Sequence, residues 1–256
     1  MAARNDQDST RSDLIASIAG RIPARNLHSL VLGQLGAAIV RGDYPEGAIL
    51  PSDTELLARF SVSRTVLREA LKTLAAKGMI EARARIGTRV LPRQRWNLFD
   101  ADVLAWHFEA GPDVDFLRSV AEVRIGIELE SAALAAQRRS ETQADHLVAL
   151  ADAMGEATSA EEFARADLAF HRAVAEAASN PFMASISALV EVALTAVFTI
   201  SSPVANKAKL EETAANHGAI AQAIRAQNTD AARDAMRAVI SEGFSRSAEK
   251  LGQQTA

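Results

Sequence analysis

Forty-one residues, Leu50 to Val90 (LPSDTELLARFSVSRTVLREALKTLAAKGMIEARARIGTRV), leave this chain few choices of local structure. Ser52 followed by Glu55 is the pattern of a capping box, and it opens a helix with Leu56, Leu57 and Phe60 on one side. Ser61-Val62-Ser63 breaks that helix, and Ser63 is placed to cap a second one from Arg64 to about Lys77. Leu67, Ala70, Leu71 and Leu74 form its apolar stripe, and the opposite side presents Arg64, Thr65, Arg68 and Lys72. Gly78 stops the helix, and Met79–Ala84 and Thr88–Leu91 read as two short strands around Arg85-Ile86-Gly87.

The order of cap, turn, basic helix, glycine stop and basic hairpin implies a winged helix-turn-helix. A helix with cations along one face fits the major groove of duplex DNA, its N-terminal residues nearest the base edges. Arg64, Thr65, Arg68 and Lys72 are therefore the candidate readers, and Arg83, Arg85, Gly87 and Arg89 belong to the wing, within reach of phosphate or the minor groove.

Charge is distributed to match. The 256-residue chain has a formal net charge of −4, an odd balance for a nucleic-acid binder until it is divided. Residues 1–95 hold 15 Lys and Arg against 9 Asp and Glu, whereas the remainder holds 13 against 23. Phosphate attracts the first part and repels the second. There are no cysteines, so disulfide and thiolate chemistry are excluded. The opening MAARNDQDSTRSD has no apolar signal core, and the most apolar stretch, 186–200, is too short and too interrupted to span a bilayer. A cytoplasmic protein with no membrane partner is expected.

The rest reads as helix. From Asp100 onward, Ala-rich periodic patterns cover about 101–109, 113–138, 142–154, 160–178, 182–200, 207–226 and 230–250, with breaks at Gly111-Pro112, Asn180-Pro181 and Gln227-Asn228. The expected fold class is mainly α: an N-terminal winged helix-turn-helix plus a C-terminal all-α bundle of six or seven helices. The expected organisation is a flexible arm at 1–25, in which 14–19 could form a short helix, a reading domain at 26–92, a linker at 93–100, and a helical effector-binding and dimerisation domain at 101–250. The segment 182–200, apolar almost all round, is expected at the centre of the bundle or in a subunit interface.

Polar residues interrupt three of the apolar stripes. Arg124 stands where a core leucine belongs between Val120 and Ile127, Asp167 and His171 lie one helical turn apart beside Phe163 and Phe170, and His217 falls between Leu210 and Ile220. A buried charge is costly unless it is paired or coordinates something. Two accounts stand side by side. Either Arg124 pairs with Glu128 or Asp167 and the histidines are hydrogen-bonded core residues, or Asp167, His171 and His217 ligate a divalent metal and Arg124 holds an anion beside it. His28, His107 and His146 suggest no role.

These residues carry a family resemblance. Residues 30–91 resemble the DNA-binding region of GntR-type bacterial transcription regulators, in which the arginines of "SR" and "REAL" contact bases; the matching residues are Arg64 and Arg68. The family often has an arginine where this sequence has Thr54. The helical part is similar to the FCD effector domain of the FadR subfamily, through ADLAFHRAVAEAASNPFM at 166–183 and NHGAIAQAI at 216–224. In metal-binding members an Asp and a His of the first motif, the His of the second and a His on the last helix are ligands. The first three fall on Asp167, His171 and His217, while AMRAVI puts Val239 at the fourth place. The resemblance also implies that Arg124, in EVRIGIELE, contacts a carboxylate effector. The tract PRQRWNLFDADVLAWHFEAG at 92–111 is similar to the sugar-acid regulators of this type and implies a galactonate-like or keto-deoxy sugar acid as inducer.

The expected function is thus a ligand-responsive repressor of a sugar-acid catabolic operon. A homodimer on a palindromic operator would be released by a small carboxylate, with a divalent metal, zinc by expectation, as cofactor. Alternatives are a regulator answering to lactate or another organic acid, an architectural DNA-binding protein with idle pocket residues, and a metal-dependent hydrolase. The last would need Glu128 as its acid or base, and the chain is expected not to be an enzyme.

Overall fold

The computed structural model describes residues 27–111, 113–187 and 202–255. The expected arm at 1–25 and most of the apolar 182–200 segment lie outside these residues. Residues 181–187, the described start of that segment, are helical. The chain divides into two compact units, Met1–Pro112 and Asp113–Ala256.

In the first unit, α1 (Leu27–Arg41) buries Val31, Leu32, Leu35, Ile39 and Val40. Helix α2 (Asp53–Phe60) starts at the Ser52–Glu55 capping box and ends where Ser61 turns left-handed, at φ 52°. Ser63 caps α3 (Arg64–Ala76), its hydroxyl accepting from the amide of Val66. Leu67, Ala70 and Leu74 of α3 are buried, and Leu71 packs at the edge of the same core. Strands β1 (Ile80–Arg83) and β2 (Gly87–Val90) pair antiparallel with Ile80 opposite Val90 and Arg83 opposite Gly87. Ile49 adds an isolated bridge to Arg89, which ties the approach to α2 onto the hairpin.

The unit continues beyond the hairpin, which corrects the expected boundaries. Residues 93–100 are not a loose linker: Arg93–Arg95 form a 3-10 turn, and the following Trp96 is buried, its indole N–H donating to the carbonyl of Leu91 at 2.8 Å. Helix α4 (Ala101–Glu109), assigned from sequence to the effector domain, belongs to the first unit. The reason is apolar area. Val103 and Trp106 complete the core begun by α1, and a small winged helix needs that burial. Trp106 lies so close to α1 that a Cβ at Gly36 would fall 2.4 Å from its ring. Lys77, at the end of α3, is held by Asp100 at 2.7 Å and Asp102 at 3.0 Å. Burial pushes its pKa down, but the two carboxylates outweigh this and leave it raised.

The second unit contains α5 (Val114–Arg138), α6 (Glu141–Gly155), α7 (Ala160–Ala177), α8 (Lys207–Arg225) and α9 (Thr229–Thr255). These bounds follow the periodic patterns to within a few residues, and Asp113, Ser140, Ser159 and Asn206 each cap the helix that follows. Its core joins Leu129, Leu147, Met154, Phe163, Phe170, Val174, Ile220, Ile224, Met236 and Ile240. Among the described residues no helix is long and apolar enough to cross a membrane.

Candidate functional site

The first unit exposes its candidate DNA-contacting residues. Arg64, Thr65, Arg68 and Lys72 are all exposed on α3, as are Arg83, Arg85 and Gly87 on the hairpin. Two of the cations have acidic neighbours: Lys72 reaches Glu69 at 2.8 Å and Arg83 reaches Glu81 at 2.7 Å. Arg89, expected to reach DNA with the wing, instead donates to the carbonyl of Gly47 at 3.2 Å. At the hairpin tip Arg85 (φ 64°) and Gly87 (φ 115°) both have positive φ, so the turn thrusts the Arg85 and Ile86 side chains outward. His107, with no role expected, is a structural residue: its ring donates to the carbonyl of Val103 and meets the edge of Trp96.

The second unit brings together the polar residues that interrupted its stripes. Helix α5 supplies Arg124 and Glu128, α7 supplies Asp167 and His171, and α8 supplies His217, and all five are buried. Each sits on its helix's inward face because the flanking positions at three- and four-residue spacing are apolar. Arg124 Nε donates to Glu128 Oε1 at 2.6 Å, and a terminal nitrogen lies 3.3 Å from Oε2. The same nitrogen is 3.4 Å from His171 Nε2. His171 Nδ1 stands 2.7 Å from Glu128 Oε2, although off the line of a good hydrogen bond. Asp167 Oδ1 is 3.0 Å from His217 Nε2 and 3.9 Å from His171 Nε2. The two accounts left open by the sequence thus coexist: Arg124 pairs with Glu128, and it also borders the Asp–His–His group.

That group fits a cation. His217 Nδ1 lies 2.8 Å from the Thr213 carbonyl, which can only accept, so Nδ1 carries a hydrogen and, in the neutral ring, Nε2 exposes a lone pair. This lone pair faces a carboxylate oxygen at 3.0 Å, so two acceptors oppose one another in a buried place. Asp167 Oδ2 and His217 Nε2 have no hydrogen-bond partner. A positive centre among them resolves both defects. One donor atom each from Asp167, His171 and His217 lie within 4.8 Å of one another, as a shared ion requires. Fixing an imidazole through its other nitrogen, as the Thr213 carbonyl does for His217, is the usual outer support of a metal-binding histidine.

Electrostatics point the same way. Burial pushes the Glu128 carboxyl up, but Arg124 and His171 overcome that and hold it at about 2. Burial also opposes ionisation of Asp167, whose pKa is nonetheless lowered by His217, His171 and Arg124. For His171, burial favours the neutral ring, and the Glu128 and Asp167 carboxylates outweigh it and raise the pKa.

The cavity beside this group is small, about 10 Å³, and α9 contributes Val239, Glu242, Gly243 and Arg246 to its walls. Val239 therefore lines the site at the place expected for a fourth ligand and brings no donor. Glu242, one turn further along α9, accepts from Asn216 Nδ2 at 2.7 Å and Thr213 Oγ1 at 3.4 Å and pairs with Arg246. Sequence reasoning missed Glu242 and Arg246. Their signal was a polar i, i+4 pair set among Val239, Gly243 and Ser247, all buried in the folded chain.

Comparison with known proteins agrees with this geometry. The profile of the bacterial regulatory proteins of the gntR family matches residues 28–90, and that of the FCD domain matches residues 119–242. The HTH-type transcriptional regulator YieP of Escherichia coli K12 is 36% identical over 84% of this chain and 93% of its own length. The galactonate operon transcriptional repressor of the same strain is 33% identical over 83% and 93%. The repressor NanR of Cronobacter sakazakii is 29% identical over 94% and 93%. Among solved structures, Lar, which controls expression of the Listeria monocytogenes agr system, superposes with a TM-score of 0.62 at 19% identity, covering 88% of this chain and 98% of Lar. A capped basic reading helix with its wing, followed by a helical unit that buries an Asp–His–His group, places this chain in the GntR family of bacterial transcription regulators, in its FCD-type branch.

Proposed function

We propose that the protein is a ligand-responsive repressor that leaves its operator when a small carboxylate enters the helical unit. The observation that carries this reading is the buried Arg124 beside Asp167, His171 and His217, in a chain whose other unit exposes Arg64 and Arg68. Arg64, Thr65 and Arg68 read base edges in the major groove, while Lys72, Arg83 and Arg85 meet phosphates and Gly87 lets the wing backbone approach closely. A homodimer doubles these contacts on a palindromic site, since one small winged helix spans only a few base pairs. In the effector unit, Asp167, His171 and His217 hold a divalent cation, zinc by preference for two imidazoles and a carboxylate. Bound there, the cation supplies charge for an incoming carboxylate, and Arg124 supplies a directional hydrogen-bonding partner.

Similarity to a galactonate operon repressor favours a sugar acid, and similarity to NanR proteins keeps other acids in view. A ligand shifts a two-state equilibrium only through its differential affinity, so the operator-bound form has the poorer pocket. A gel-shift titration of the zinc-loaded protein on its operator, with galactonate, a keto-deoxy aldonate and lactate in parallel, tests the reading. Release by one acid at concentrations where the others fail supports it, and loss of that release in Arg124→Ala ties it to the pocket. If no acid changes operator affinity, induction is excluded. The hydrolase alternative loses ground because Glu128, the acid or base it would need, lies against Arg124 and His171 and stays ionised down to about pH 2.

A further inference from the structure

We infer that the charge balance in and beside this cavity makes it selective for monocarboxylates, with the buried Glu128 and the partly exposed Glu242 setting the balance. The inference rests on the metal and effector reading above. Among the described residues, the cavity and the groups bonded to its lining bring two arginines, Arg124 and Arg246, against three carboxylates, Glu128, Asp167 and Glu242. With neutral imidazoles the site carries one excess negative charge. In low dielectric an uncompensated charge is expensive, so the site favours whatever neutralises it. Without the cation it offers a carboxylate no net positive charge. A divalent cation at Asp167, His171 and His217 overshoots by one and leaves a single positive charge. One carboxylate closes the account.

Three consequences follow from this count. Cation and acid bind cooperatively, each improving the other's site. A diacid brings a second negative charge that no group in the cavity answers. Removing one carboxylate from the protein leaves room for that second charge, whichever carboxylate is removed. Glu128 stands on α5 against Arg124 and His171, whereas Glu242 stands on α9 against Asn216, Thr213 and Arg246. The two are held by different partners, so a shared effect reports charge, while an effect at one position alone reports local geometry.

The test uses full-length protein with and without zinc, and a pair of six-carbon acids of equal hydroxylation, galactonate (one carboxylate) and galactarate (two). Binding is followed by calorimetry, independent of operator release, and zinc affinity by chelator competition. Expected for the wild type are galactonate binding only with zinc present, and galactarate at least about tenfold weaker. Glu128→Gln and Glu242→Gln should both weaken zinc and both shift the preference toward galactarate; if Glu128→Gln loses its fold, Glu242→Gln still decides the matter. Equal binding of the two acids by the wild type, zinc-independent binding, or a shift in only one variant overturns the inference while leaving an acid-responsive repressor intact. Acid binding with the expected charge preference but no operator release overturns induction and leaves the charge rule standing. Failure of both acids to bind removes the inference together with the sugar-acid reading.

Discussion

Glu128 shows how one residue can hold a site together. It stands 2.7 Å from His171 Nδ1 and accepts from Arg124 Nε, so the proposed metal and anion sides of the pocket share a carboxylate. Its lowered pKa makes a stability claim with a definite sign. A carboxyl depressed in the folded state contributes stability above its unfolded value near 4.5, and this is lost as pH falls toward about 2. Melts of zinc-free protein between pH 7 and pH 3 should decline below pH 4.5, and Glu128→Gln should flatten that limb. A decline equally steep in the variant would assign it to other carboxylates. His171 has the opposite sign: its protonated form adds stability below the imidazole's ordinary value, and this is lost as pH rises through the raised one. On the reading face, Arg64→Ala should cost about 1–3 kcal/mol in operator affinity and relax sequence preference. Lys72→Ala should weaken binding evenly across sequences and lower the salt slope by about one. Salt-dependent fluorescence anisotropy on cognate and scrambled duplexes separates these two outcomes.

At the level of elements, the reading helix is anchored at both ends. Ser63 satisfies an amide at the start of α3, and Lys77 at its end is gripped by Asp100 and Asp102 beside α4. Asp100 also caps α4 by accepting from the amides of Asp102 and Val103. Gly78 completes the junction. Its φ of 74° and the 2.1 Å separation between a hypothetical Cβ and the Arg95 carbonyl admit no side chain. Lys77→Met removes the cation that two carboxylates share and should cost about 3 kcal/mol, read as a lowered denaturant midpoint. An unchanged midpoint would mean that solvent already screens the pair. This junction was hard to read in the sequence. Lys77 looked like the last residue of a surface helix, and its partners lie 23 and 25 positions further on. The capping serines, by contrast, act within three residues and were legible directly.

For the whole molecule, the boundary matters most. The tract 92–111 contains Trp96, Val103 and Trp106, all part of the core of the reading unit. A fragment ending at residue 112 should therefore fold and bind duplex DNA weakly, as a half-site reader. A fragment ending at 95 loses both tryptophans and should be unfolded by circular dichroism. Comparable folding of the two fragments would show that α4 is dispensable.

Local chemistry wrote most of the architecture into the sequence. Caps, glycine stops and three-to-four spacing depend on neighbours a few residues apart, so the reading helix, the hairpin and most helix bounds from α2 onward could be derived without coordinates, whereas α1 was not. The polar residues in apolar stripes were legible too, because a charge on a buried face is anomalous wherever the helix packs. Tertiary structure alone decided what these residues touch. It made Glu128 the partner of both Arg124 and His171, brought Glu242 and Arg246 from α9 to the same cavity, and gave α4 to the reading unit. Contacts between distant segments depend on how helices pack and on which apolar area remains to be covered, and no short-range spacing records either.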